Sequence, residues 1–148
     1  MIGLTIDAIA VGDSAQITRR VTEEDIAGFV DAVGDYNPVH ADRAYAATTV
    51  FKEPIAPGIW TAGLVSAVIG TRLPGPGAIY VSQTLKFLAP VKIGDTVEAI
   101  VEVAELIAQR QRARLLCKCK VGTTVVLEGE AIVKIPLRPK NKRQLIDR

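Results

Sequence analysis

The segment comprising residues 59–73 constrains the fold of this chain more than any other. Its spacing predicts a helix, and apolar side chains occur on almost every side of it: Ile59, Trp60, Leu64, Val65, Val68 and Ile69. A helix without a polar face has to be covered by other parts of the protein. The segment ends at Pro74-Gly75-Pro76-Gly77, because proline lacks the amide that a continuing helix needs. The sequence therefore predicts one central helix that the rest of the fold encloses.

The remainder of the chain supplies strands that would surround this helix. Residues that favour β-structure fill four stretches after it, at 78–88, 96–107, 112–121 and 124–135. Two earlier strands are predicted at residues 2–6 and 15–21. A spacing of about ten residues with short connections is typical of an antiparallel sheet. We predict an α+β fold in which a long antiparallel sheet wraps around a central buried helix.

Length and composition indicate one ordinary globular domain. The chain has 148 residues, of which 49% are hydrophobic, 23% charged and only 5% aromatic. A chain of this size can fold without disulfides or metal, and so few aromatic residues argue against a nucleic-acid partner. We assign residues 1–137 to the domain and residues 138–148 to a basic tail. Five basic residues and one acidic residue give this tail a charge of +4, against +2 for the whole chain.

The two cysteines and the N-terminus favour a soluble, cytoplasmic protein. Cys117 and Cys119 lie two residues apart, on one face of a predicted strand. This spacing is not that of a metal-binding pair, so we expect two reduced thiols. The first residues lack the basic segment and apolar core of a secretory signal, and no apolar run is long enough to span a membrane.

The candidate chemistry lies in the loop Gly34-Asp35-Tyr36-Asn37-Pro38-Val39-His40, which contains the only histidine of the chain. We call residues 34–40 the Asp35 loop. It connects an amphipathic helix, predicted to be capped by Thr22 and to end near Gly34, with a short helix begun by Asp42. Aspartate and histidine are well suited to exchange protons near neutral pH, and Asn37 can orient a water molecule. One histidine and one aspartate are too few ligands for a zinc site.

Two positions in the apolar helix are further candidates. Gly58 follows Pro57 at the predicted helix start, where unpaired backbone amides can stabilise an oxyanion. Ser66 is a hydroxyl inside the helix, as able to bond its own backbone as to take part in chemistry. The chain has no glycine-rich nucleotide motif, so we expect no cofactor.

These residues resemble the hydratase-2 motif of the MaoC-like (R)-specific enoyl-CoA hydratases. The similarity begins in the Asp35 loop, extends through Ala41-Asp42 and Ala44-Tyr45-Ala46, and returns at residues 51–58 and 87–95. It covers the chain from about residue 11 to residue 135. The resemblance implies a hotdog fold and a homodimer or dimer of dimers whose sheets join edge to edge. It also implies reversible syn hydration of a trans-2-enoyl-CoA to an (R)-3-hydroxyacyl-CoA.

The resemblance also implies roles for individual residues. Asp35 and His40 would activate water and deliver a proton to the α-carbon, Gly58 would donate its N–H to the thioester oxygen, and Ser66 would add a supporting hydrogen bond. The CoA thioester is then the substrate, with no further cofactor. Many relatives carry a histidine where this chain has Pro57, so hydrogen bonding around the oxyanion must differ here.

Several alternatives remain open at this point. The same chemistry would serve a 3-hydroxyacyl dehydratase acting on acyl carrier protein, and the same fold would serve a non-catalytic subunit that binds acyl thioesters. A hotdog thioesterase is less favoured, because the Asn-Pro-x-His loop is not its signature. Trp60 either narrows the acyl pocket or fills the core. The candidates for binding the CoA phosphates are Lys86, Arg72 and the basic tail.

Overall fold

The computed structural model describes residues 3–136. Its helices are α1 (Glu23–Val33), α2 (Arg43–Ala47) and α3 (Gly58–Thr71). Its strands are β1 (Ser14–Arg20), β2 (Ile79–Gln83), β3 (Lys86–Phe87), β4 (Thr96–Ile107), β5 (Arg112–Val121) and β6 (Thr124–Lys134). Single turns of 3-10 helix lie at Ile6–Ala8 and Ala108–Arg110. Within this part of the chain, no helix has the length and apolar character needed to cross a membrane.

The six strands form one antiparallel sheet in the order β1-β4-β5-β6-β2, with β3 also paired to β6. The register places Ile17 opposite Ala99, Ala99 opposite Cys119, and Cys119 opposite Leu127. Side chains alternate across each strand, so one face of the sheet is apolar and packs on α3. The α+β fold and the antiparallel sheet predicted from the sequence are confirmed.

Helix α3 is covered on one side and open on the other. Its buried residues face the sheet: Thr61, Leu64, Val65, Val68 and Ile69. The opposite side is exposed, and it consists mainly of Ile59, Gly63, Ser66 and Gly70. The prediction that the rest of the fold encloses this helix on every side is therefore wrong for a single chain, because one sheet can curl over only one side of it.

The helices around the Asp35 loop begin and end as predicted. The side chain of Thr22 accepts a hydrogen bond from the Asp25 amide at 3.1 Å, which caps α1. Gly34 ends α1 in the left-handed conformation, with φ of 77°, and so turns the chain into the loop. The side chain of Asp42 caps α2 by accepting from the Tyr45 amide at 3.0 Å.

The strand predicted at residues 2–6 is wrong for its described part, residues 3–6. The Gly3 and Leu4 amides donate to the carbonyl oxygens of Pro76 and Pro74 at 3.1 and 2.8 Å. A single 3-10 turn at Ile6–Ala8 follows. Alternating apolar residues form a strand only beside a partner strand, and here the neighbouring backbone is the loop after α3.

The stretch 78–88 was predicted as one strand, and the structure divides it in two. A register shift between Tyr80 and Ser82 bends β2, and the chain leaves the ladder before β3 begins. At this break, Thr84 crosses close to β6: its amide donates to the Glu130 carbonyl at 2.8 Å, and its hydroxyl accepts from the Glu130 amide at 2.9 Å. The break depends on Gly129, because a Cβ there would lie 1.8 Å from the Thr84 carbonyl oxygen.

Replacement of Gly129 by alanine should therefore destabilise the protein. The alanine Cβ would overlap the Thr84 carbonyl oxygen unless the backbone around Thr84 moves. We therefore expect the free energy of unfolding to fall by about 1–3 kcal/mol. Denaturant titration measures this change. The control is Gly28→Ala in α1, where an added Cβ meets no atom within 4 Å and should stabilise the helix by about 0.5–1 kcal/mol. Equal stability of Gly129→Ala and the wild type would contradict the steric argument.

Candidate active site

The Asp35 loop brings its two titratable residues together. The Oδ2 atom of Asp35 lies 3.5 Å from the Nε2 atom of His40. The His40 residue is only 7% exposed, whereas the Asp35 side chain is 42% exposed. The pairing predicted from the sequence is therefore present in the folded chain, with the imidazole inside and the carboxylate at the surface.

A backbone carbonyl fixes which nitrogen of His40 faces the aspartate. Its Nδ1 atom lies 2.8 Å from the carbonyl oxygen of Ile55. A carbonyl oxygen only accepts hydrogen bonds, so Nδ1 carries the hydrogen and the neutral ring has its lone pair on Nε2. Asp35 and a neutral His40 are then both acceptors, so they do not bond each other directly. A water molecule beside the pair, within hydrogen-bond distance of both atoms, can donate one hydrogen to each.

Hydrogen bonds within the Asp35 loop hold this geometry. The His40 amide donates to the Asn37 carbonyl at 3.1 Å, and the Val39 amide donates to the Asn37 side-chain oxygen at 3.3 Å. The Asn37 amide in turn approaches Asp35 Oδ1 at 3.4 Å. Asn37 therefore shapes the loop that carries the pair. Its predicted role in orienting water stays a prediction.

The loop is tied to the start of α3 through the strand-like segment around Ile55. The Ile55 amide donates to the Val39 carbonyl at 3.2 Å, and its carbonyl accepts from His40. The Ala56 amide donates to the Val91 carbonyl at 2.7 Å, which fixes the segment to the rest of the fold. Helix α3 begins two residues later, so its N-terminus and the Asp35 loop share one support.

The first amide of α3 is available to a ligand. The amides of Trp60 and Thr61 bond to the Pro57 carbonyl at 3.0 and 3.4 Å. The Gly58 amide has no hydrogen-bond partner among residues 3–136. It lies at the positive end of the helix dipole, where a developing negative charge is stabilised. Pro57 lacks an amide, so Gly58 is the first donor of the helix.

A cavity of about 470 Å³ adjoins Gly58. Its lining is mostly apolar and comes from α3, the segment before it, the turn after β3, and β6; it includes Phe51, Ile55, Gly58, Ile59, Thr61, Phe87, Leu88 and Leu127. The Phe87 ring covers Gly58 so closely that a Cβ on Gly58 would lie 2.6 Å from a ring carbon. A side chain at this position would therefore require the Phe87 ring to move.

Thr61 is a polar residue of this cavity that the sequence reasoning did not single out. It is 2% exposed, and its hydroxyl oxygen has no hydrogen-bond partner among the described residues. Ser66 is the hydroxyl residue that the sequence pattern brought forward in the apolar helix, although Thr61 is also a hydroxyl residue of that helix. The available signal was its position three residues after Gly58, on the buried side of the helix.

Ser66 lies elsewhere on α3. It is eight residues from Gly58, about 12 Å along the helix axis, and does not line the cavity. It faces Tyr80, whose hydroxyl donates to Gln83 Oε1 at 3.0 Å. Burial raises the pKa of Tyr80, and a hydrogen bond with Ser66 offsets part of that rise. The predicted contact of Ser66 with substrate stays a prediction.

The structure separates the candidate phosphate-binding residues from the cavity. Arg72 follows the last residue of α3, and its Nη1 atom donates to the Gln16 carbonyl at 2.6 Å. Lys86 is paired across the sheet with Glu128, and both line a different groove. The basic tail, residues 138–148, lies outside the described residues. Trp60 packs against the hydrophobic core.

The cysteines are core residues. Both are buried, and burial raises the pKa of Cys117 to about 11 and that of Cys119 to about 12, so both thiols are protonated at neutral pH. Within residues 3–136, no group of three or more His, Cys, Asp or Glu side chains is placed to hold a metal ion.

Known proteins are similar to this chain over most of its length. The chain matches the family described as MaoC like domain over residues 10–126. It is 55% identical over 133 residues to a 3-hydroxybutyryl-CoA dehydratase of Methylorubrum extorquens, covering 90% of this chain and 85% of that protein. It is 51% identical over 130 residues to an (R)-specific enoyl-CoA hydratase of Rhodospirillum rubrum, covering 88% and 90%.

Solved structures are also similar to this chain in fold. An R-hydratase from Pseudomonas aeruginosa, solved in its unliganded form, superposes with a TM-score of 0.87 at 42% identity, covering 92% of this chain and 88% of that one. The antiparallel sheet around α3 is the hotdog fold that the resemblance implied. With a family match that covers most of its length and relatives of this identity, the chain belongs to the MaoC-like domain family.

Proposed function

We propose that this protein is an (R)-specific enoyl-CoA hydratase, which adds water reversibly to a trans-2-enoyl-CoA. The observation that carries the proposal is the pair formed by Asp35 and His40, 3.5 Å apart, with the Nε2 lone pair of the neutral imidazole on the side of the carboxylate. The names of the relatives from Methylorubrum extorquens and Rhodospirillum rubrum support a hydro-lyase acting on CoA thioesters.

The pair supplies the proton transfers of the reaction. A water hydrogen-bonded to both Asp35 and His40 loses a proton to the pair as its oxygen bonds to the β-carbon. The electrons of the double bond move towards the thioester carbonyl, and a proton from the pair then reaches the α-carbon. Because both groups belong to one loop, hydroxyl and proton arrive on the same face of the substrate, which gives syn addition.

Gly58 stabilises the charge that forms during addition. Its unpartnered amide, at the N-terminus of α3, donates to the thioester oxygen as that oxygen becomes negative. The neighbouring apolar cavity excludes water from this hydrogen bond and strengthens it. The reaction needs no cofactor beyond the thioester substrate.

The active form is a homodimer. The uncovered side of α3 presents Ile59, Gly63 and Ser66. On β2, Tyr80 faces Ser66, and the next residue, Val81, is exposed. Within the described chain, β2 pairs with β6 only, so its other edge can pair with a second copy. A contiguous apolar surface beside a free strand edge is typical of an interface between subunits. The dimer would join the two sheets edge to edge and cover α3.

Asp35→Asn should abolish hydration without unfolding the protein. The amide cannot accept a proton, so we expect kcat for crotonyl-CoA to fall by roughly 10²–10⁴-fold. The side chain is 42% exposed and so contributes little to stability. The matched control is Asp31→Asn, an exposed carboxylate of α1 that should leave kcat unchanged. The measurement is the rate at which the enoyl-thioester absorbance of crotonyl-CoA is lost on hydration. Retained turnover in Asp35→Asn would refute the assignment.

Val81→Glu should convert the dimer to a monomer. Val81 is 44% exposed on β2, and a buried unpaired carboxylate at the interface would cost several kcal/mol of association free energy. Analytical ultracentrifugation measures the outcome. The control is Leu116→Glu, 41% exposed on β5 and pointing away from α3, which should remain dimeric. A wild-type monomer at micromolar concentration would contradict the proposed assembly.

A further inference from the structure

The hydroxyl of Thr61 lacks the partner that a helical threonine normally has. Such side chains often bond to the carbonyl four residues earlier, as Thr71 does with Ala67 at 2.6 Å in the same helix. For Thr61 the corresponding carbonyl belongs to Pro57, which instead accepts the amides of Trp60 and Thr61. A buried hydroxyl without a partner is costly, so a ligand is expected to supply one.

The cavity contains two such unsatisfied polar groups in otherwise apolar surroundings. Gly58 and Thr61 both line it, one with a free amide and the other with a free hydroxyl. A mostly apolar cavity with a few convergent polar groups is the usual form of a small-molecule site. The mouth of the cavity is bounded by Phe87 and Leu88, which are 53% and 51% exposed.

The position of the catalytic pair decides which part of a thioester enters the cavity. The reacting carbons lie on the acyl side of the carbonyl, so that side has to face Asp35 and His40. Neither residue is among the described residues that line the cavity, whereas Gly58 is. With the carbonyl oxygen on the Gly58 amide, the sulphur side of the thioester therefore points into the cavity and towards its exposed mouth.

The distance between the two polar groups fits the structure of the thioester on its sulphur side. Gly58 and Thr61 are three residues apart, about 4.5 Å along the helix axis. In CoA and in acyl carrier protein alike, a cysteamine unit follows the sulphur and places an amide two methylene groups away. Resting on the proposed function, we propose that this cavity binds the cysteamine unit, and that the Thr61 hydroxyl accepts a hydrogen bond from its amide N–H.

Thr61→Val tests the proposal because valine keeps the shape of threonine and removes only the hydroxyl. We expect KM for crotonyl-CoA and for crotonyl-N-acetylcysteamine to rise roughly tenfold, as for the loss of one hydrogen bond. For S-ethyl thiocrotonate, which lacks the amide, the variant and the wild type should have the same kcat/KM. The folded protein should be as stable as the wild type or more so, because an unpaired buried hydroxyl is removed.

Two further variants sharpen the test. Thr61→Ser retains a hydroxyl and should keep KM near the wild-type value. Thr71→Val removes a hydroxyl that is already bonded to Ala67 and should change KM for none of the three thioesters. A rise in KM of equal size for S-ethyl thiocrotonate, or no rise for any thioester, would overturn the inference. So would a loss of stability in Thr61→Val, which would make the hydroxyl a structural group.

The same measurements separate this inference from the proposed function. Absence of hydration by the wild type would refute the proposed function itself. Hydration by the wild type with unchanged KM in Thr61→Val would refute only the role of Thr61. Crotonyl carrier protein should show the same ratio between variant and wild type as crotonyl-CoA, because both contain cysteamine. The wild-type kcat/KM for these two substrates then identifies which carrier the protein uses.

Discussion

The hydrogen bond between His40 Nδ1 and the Ile55 carbonyl, at 2.8 Å, is the contact on which the site depends. It joins a loop that follows α1 to the segment that leads into α3, fifteen residues further along the chain. It also sets the tautomer of the imidazole, and so decides that Nε2 faces Asp35. One backbone oxygen thus sets both the orientation and the tautomer of the ring, so the segment around Ile55 is as much part of the site as the histidine.

Much of the fold could be predicted because its signals are local. Thr22, Gly34 and Asp42 act as helix boundaries through atoms within a few residues of themselves, so their roles are evident in the sequence. The strand predicted at residues 2–6 failed for residues 3–6 because pairing depends on a distant neighbour. The break between β2 and β3 likewise depends on Gly129, far along the chain, and no local pattern indicates it.

The candidate site divides in the same way. The proximity of Asp35 and His40 could be predicted, since they are only five positions apart in one loop that contains a proline. The contribution of Ile55 and the unpaired hydroxyl of Thr61 could not, because each depends on which carbonyl oxygens are already occupied in three dimensions. The apolar pattern of α3 indicated that the helix must be covered. It did not indicate that one side of the helix is exposed in the single chain.

The close packing of Phe87 on Gly58 links two glycines that are remote in sequence. Gly129 allows Thr84 to cross β6, and this crossing sets where the two-residue strand β3 runs. Strand β3 in turn carries the Phe87 ring, which packs where a side chain on Gly58 would lie. The packing of the ring at Gly58 therefore depends on where the chain crosses β6. A family member with a side chain at position 58 needs the ring at position 87 to move aside, and one with a side chain at position 129 needs the backbone at position 84 to move.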